Sequence, residues 1–227
     1  MTVTVEICTD NLQDTVAAIR MGADRIELCS NLDLDGLSPE KGLFEAVLAL
    51  QPVRDGQVII FPMIRCRGGG FVFSPMEKQT MLEEAKSFAS RTNGLVIGAL
   101  TEAGAVDIDF VRAVWEAVVC VNPAIELTFH KAIDHVVDFP KNAVLKNAVL
   151  LEPYCHRILT SGGALTALAG SAVIRELVDR ARRPIPLAAG RIRPENVLQV
   201  IAATGVSEVH SRDSKICQTL AKPVRTL

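Results

Sequence analysis

Residues 3–8 read VTVEIC and residues 24–29 read DRIELC, and the alternation within these two runs decides the architecture. Side chains along a strand point to its two faces in turn. Val3, Val5 and Ile7 share one face of the first run, and Thr4, Glu6 and Cys8 share the other. In the second run Ile26 and Leu28 oppose Arg25, Glu27 and Cys29. The apolar face belongs against helices, so the polar face turns inward. Between the two runs Asn11–Met21 reads as a helix, which makes the first βα repeat.

The repeat continues along the chain. Strands are expected at Val58–Arg65, Gly94–Leu100, Ile125–His130, Arg157–Thr160, Ile185–Ala189 and Glu208–Ser211. Pro62 weakens the third strand, because proline cannot donate to a ladder. Helices are expected at Pro39–Leu50 with Ser38 as N-cap, Pro75–Arg91 capped by Ser74, and Asp107–Val119. Others follow to about Leu150, at Ser171–Arg182 and at Pro194–Ala203. Eight repeats without a linker favour a closed (β/α)8 TIM barrel, one domain over residues 1–227, over a doubly wound sheet. Asp213–Leu227 is short and predicts an irregular last helix. That would leave barrel surface bare, so a homodimer or larger homo-oligomer is expected.

Composition narrows the function. Of 227 residues, 49% are apolar and only 4% aromatic, which suits parallel strands covered by helices. Lys and Arg number 24 against 26 Asp and Glu, so no basic stripe points to nucleic acid or an anionic membrane. No apolar run reaches the roughly 20 residues a bilayer span needs, and MTVTVEICTD lacks the pattern of a signal peptide. A cytoplasmic setting is expected, with the six cysteines reduced and none paired as C-x-x-C.

Parity turns Glu6, Glu27 and His130 inward near the C-terminal ends of their strands, with Arg65 beside them, where barrel enzymes place their chemistry. An internal ion-pair network, for instance Glu27 with Arg65, is the competing explanation. A catalytic reading makes Glu6 or Glu27 a general base and His130 or His210 an acid. Arg65, Arg67, Lys131 and Arg191 would neutralise an anion, aided by backbone donors of Ser161, Gly162 and Gly163 in TSGG. Asp134 is a weaker site candidate. His135 and His156 read as non-catalytic. A lyase, isomerase or hydrolase acting on a small anionic metabolite, phosphorylated ones included, would fit; a barrel with no site would not account for the inward charges.

Several segments in order, EIC at 6–8, GADRIELCS at 22–30, DGLSPEKG at 35–42, PMIRCRGGGF at 62–71, GLVIGALTEAGAVD at 94–107, ELTFHKAID at 126–134, HRILTSGG at 156–163 and EVH at 208–210, carry a likeness. Together the chain resembles the copper-homeostasis CutC family. The resemblance implies a TIM barrel and, as in some members, copper(I) bound by two cysteines, which match Cys8 and Cys29. Cys66 and Gly70 replace the family's proline and aspartate, Lys131 and Ile133 its arginine and phenylalanine, and AAGRI and SRDS depart from it after strands seven and eight. Copper(I) is soft and prefers thiolates. Cys8 and Cys29 end neighbouring strands, about 4.8 Å apart, with one parity. Cys66 has the parity opposite to Arg65 and joins only if its loop turns it inward.

Overall fold

The computed structural model describes residues 3–136, 141–180 and 183–226. The strands are β1 (Thr4–Thr9), β2 (Arg25–Leu28), β3 (Ile59–Pro62), β4 (Gly94–Ile97), β5 (Glu126–Phe129), β6 (Arg157–Thr160), β7 (Ile185–Ala188) and β8 (Glu208–Ser211). The helices are α1 (Leu12–Arg20), α2 (Lys41–Leu48), α3 (Gln51–Arg54), α4 (Pro75–Ala89), α5 (Ile108–Val119), α6 (Lys141–Leu151), α7 (Ser171–Arg180), α8 (Val197–Thr204) and α9 (Ile216–Thr219). Residues 137–140 of the expected sixth helix and 181–182 of the seventh lie outside the described residues.

All strands run parallel in the order β3-β2-β1-β8-β7-β6-β5-β4, and the sheet curls into a TIM barrel. Its two ends meet at isolated parallel bridges, Met63 with Val96 and, beyond the strand ends, Val72 with Leu100. Pro62 explains the thin seam. Met63 N donates to Leu28 O across β2–β3 at 2.9 Å, and Ile64 N to Val96 O across β3–β4 at 2.8 Å. By alternation the nitrogen of Pro62 faces β4, and it has no hydrogen to give. Strand three therefore ends sooner than its expected limit at Arg65.

Local signals account for most helix starts. Ser74 and Glu77 form a reciprocal capping box at α4, and Asn11 and Asp107 cap α1 and α5. Ser38 does not cap α2, contrary to expectation; Glu40 precedes the first helical residue. The Ser38 hydroxyl donates to Glu84 at 2.7 Å and accepts the Arg65 N–H at 2.9 Å, tying the β2 loop to the end of β3. The last helix is short, as expected, but the tail after it is engaged. Ile216 and Cys217 are fully buried, Lys222 pairs with Asp24, and Arg225 N donates to Arg20 O. The described tail is thus tied to α1 and to the loop that follows it.

The helix-facing residues Val5, Ile7, Ile26, Leu28, Leu95, Leu127, Ile158 and Val209 build the core between sheet and helices. Inside the barrel, the lower layer is an ion-pair chain. Arg25 binds Glu6 and, at 2.5 Å, Glu208; Arg157 binds Glu208 at 2.8 Å and Glu126. Both guanidiniums lie over Phe61, at 5.1 and 5.5 Å from its centroid. Gly94 makes room for that ring, since a Cβ there would lie 2.3 Å from Phe61 Cζ. The anticipated partner of Glu27, Arg65, is not in this network; the pairing occurs one layer lower.

Removing one partner from a buried pair strands the other charge and costs about 3–5 kcal/mol. Arg25→Ala should lose about that much in urea denaturation, and a loss within about 0.5 kcal/mol would contradict the role given to this layer. Burial alone would raise the pKa of Glu6, but Arg25 and His210 more than offset it and hold it at about 2, against 4.5 ordinarily. Its contribution is therefore whole above the ordinary value and is lost as the pH falls towards 2. The stability gap between wild type and Glu6→Gln should accordingly narrow between neutral pH and about pH 3.

Candidate functional site

Above the ion-pair layer the barrel opens at its C-terminal end into a cavity of about 400 Å³. Its inner wall carries Cys8, Glu27, Met63, Arg65, His130 and His210, with Leu159 opposite. Its rim carries Asp35, Phe71, Lys131, His135, Arg191, Arg193 and Arg212. The alternation of β1, β2 and β8 delivers Cys8, Glu27 and His210 to this space, the next inward positions after Glu6, Arg25 and Glu208, and His130 follows the end of β5, beyond Glu126 and Thr128.

Cys8 and Cys29 face each other across the β1–β2 pair with sulfurs 3.7 Å apart, and Cys29 Sγ lies 3.7 Å from Glu27 Oε1. Both thiols are buried. The hydrogen bond with Cys29, then burial and the Glu27 charge, push Cys8 well above the usual thiol range. For Cys29 the contact with Cys8 acts downward, but burial and Glu27 prevail and raise it to about 11. Both are protonated thiols at neutral pH.

His210 stands between two carboxylates. Its Nδ1 is 2.7 Å from Glu6 Oε1 and its Nε2 is 4.0 Å from Glu27 Oε1. Burial opposes its charge, yet Glu27 and Glu6 win and raise its pKa. Burial raises the pKa of Glu27, with His210 pulling it down and Glu6 pushing it up. Glu6 does not line the cavity: Arg25 and His210 take up its carboxylate, so it stands behind His210. His130 is held neutral, its pKa lowered to about 3 by burial and by Arg65. Its Nδ1 accepts the Ala132 N–H at 3.1 Å, and its ring lies over Gly98, where a Cβ would come within 2.2 Å.

The anion set expected from the sequence comes apart. Arg67 is spent on Glu77 and on the carbonyls of Gly68, Gly70 and Val72, with its guanidinium over Phe73. The TSGG turn is spent as well. Asp134 accepts from the Ser161 N–H at 2.8 Å, the Ser161 hydroxyl at 2.9 Å, the Gly163 N–H at 3.0 Å and the Thr160 hydroxyl, while Gly162 N donates to Thr160 Oγ1. The turn does collect a negative charge, but the charge is the protein's own. Arg65 gives its terminal nitrogens to the carbonyls of Leu34, Gly36 and Gly69 and lies against Phe71.

Lys131 and Arg191 do reach the cavity. Arg193 and Arg212 join them, and the sequence reading missed both; their place directly after strands seven and eight was the available signal. His135 also lines the rim. His156 lies elsewhere, accepting from Leu127 N and touching Arg183. Cys66 is half-buried against the outer core and does not join the thiol pair.

Comparison with known proteins agrees with this architecture. Residues 3–215 match the model of the CutC family. A CutC family protein of Glaesserella parasuis is 38% identical over 208 residues, covering 91% of this chain and 80% of that protein. A copper homeostasis protein cutC homolog of Homo sapiens is 35% identical over 210 residues, covering 91% and 71%. The crystal structure of a putative copper homeostasis protein CutC from Streptococcus agalactiae superposes with a TM-score of 0.83 at 26% identity, covering 93% and 99%. A family match over almost the whole chain, carried on the barrel described above, means that this chain belongs to the CutC family.

Proposed function

We propose that this protein serves copper homeostasis by binding copper(I) between Cys8 and Cys29. The observation that carries the reading is the pair of sulfurs, 3.7 Å apart on adjacent strands, with Cys8 open to the cavity. Copper(I) favours soft thiolates over the harder carboxylate of Glu27. Two sulfurs at this separation lie close enough to share one ion after a modest adjustment of their side chains. Relatives bearing the name copper homeostasis protein support the same role. A reducing cytoplasm would keep the thiols available, and no helix among the described residues is long and apolar enough to cross a membrane.

A second reading, an enzyme acting on a small anion, is favoured by the cationic rim around the same cavity. Its candidates narrow to Glu27, Arg65, His130 and His210, which line that space.

Anaerobic titration against a copper(I) chelator tests the first reading. Wild type should take a single copper per chain. Cys8→Ser or Cys29→Ser should weaken binding by more than the roughly 10–100-fold that loss of a supporting residue costs. Cys66→Ser and Cys120→Ser should bind as wild type does. Equal affinity in the Cys8→Ser/Cys29→Ser protein would sink the assignment. Because both thiols carry protons at neutral pH, each proton displaced should strengthen binding about tenfold per pH unit. With Cys29 at about 11, no plateau is expected between neutral and mildly alkaline pH; a flat pH dependence would show that thiolates are not the ligands.

A further inference from the structure

Three side chains deep in the cavity wall carry a polar atom with no protein partner: His130 Nε2, Arg65 Nε and Glu27 Oε2. They are only 4%, 2% and 4% exposed, so leaving these atoms unbonded is costly. Because His130 Nδ1 accepts from Ala132, the proton of the neutral ring sits on Nε2, which makes it a donor. The wall thus offers two donors and one acceptor.

The rim above is cationic. Lys131, Arg191, Arg193 and Arg212 line it, and Asp35, 3.8 Å from Arg212, is the one rim carboxylate among the described lining residues. Three of these cations follow β7 and β8, the loops from which barrel enzymes commonly build a phosphate site. The turn after β7 is shaped to present them. Arg191 adopts a left-handed backbone at φ 54°, unusual for a residue with a Cβ. Asn196 braces it, donating to Arg191 O at 3.0 Å and accepting from Arg193 N at 2.8 Å.

We propose that the mouth binds the phosphomonoester of a small hydroxylated carbon skeleton, with the phosphate on the arginine rim and the skeleton on His130, Arg65 and Glu27. Guanidinium forks match phosphate oxygens in pairs, which a lysine cluster would not do. A space of about 400 Å³ is near the lower end of ligand pockets and suits a sugar-phosphate-sized molecule. The assignment deepens the second reading and stands without copper.

Calorimetric titration with glycerol 3-phosphate, inorganic phosphate and glycerol tests it. Glycerol 3-phosphate should bind saturably and more tightly than phosphate, and glycerol not at all. Arg191→Asn and Arg212→Gln, both on exposed side chains, should each weaken glycerol 3-phosphate at least tenfold. His130→Gln should erase the preference for glycerol 3-phosphate over phosphate. Arg91→Gln, on the outer helices beside Glu45, should bind as wild type. Glycerol 3-phosphate should bind the reduced wild-type protein with copper withheld, which separates this result from the fate of the copper assignment. The proposal is overturned if neither phosphate compound binds tighter than about 1 mM, if the rim variants bind like wild type, or if sulfate competes as well as glycerol 3-phosphate.

Discussion

The Arg25 guanidinium joins Glu6 to Glu208 in the lower half of the barrel, and much of the molecule is arranged around that junction. A buried guanidinium needs carboxylates, and the parity of β1, β2 and β8 supplies them from three neighbouring strands. Arg157 extends the chain to Glu126 on β5. Phe61 lies beneath both guanidiniums and occupies the space that Gly94 leaves open. The barrel is thereby solid at one end and hollow at the other. Glu6 links the halves, since one of its oxygens serves Arg25 and the other His210.

The hollow half assembles two kinds of chemistry side by side. Two thiols and a carboxylate sit on the β1–β2 wall, and cations gather where β7 and β8 end. The thiols are kept protonated by burial and by Glu27, which disfavours casual reactivity and leaves them responsive to a soft ion able to displace protons.

The fold was legible because DRIELC and VTVEIC leave no freedom about which face packs against helices. Pro62 announced a weak ladder, and the weak ladder is the β3–β4 seam. The site was legible where it depended on parity, as at Cys8, Glu27, His130 and His210. It was illegible where it depended on tertiary partners. Nothing in TSGG reveals that Asp134, from the preceding repeat, folds back onto its amides. Nor does the motif around Arg67 reveal that Glu77 claims it. Ser38 misled in the same way, because Glu84 and Arg65 compete for its hydroxyl more effectively than a helix start does.

A tube with seven ladders, closed between β3 and β4 by isolated bridges alone, is mechanically a split ring. Such a ring widens by parting at its cut, and the other strand pairs keep their hydrogen bonds while it does so. Local opening favours places with few backbone hydrogen bonds, and the join at Met63 and Val96, just before Arg65, is one such place. The missing hydrogen on one proline nitrogen thus leaves the wall of the mouth thinnest in ladder bonds between β3 and β4, across the barrel from the strands that carry the arginine rim.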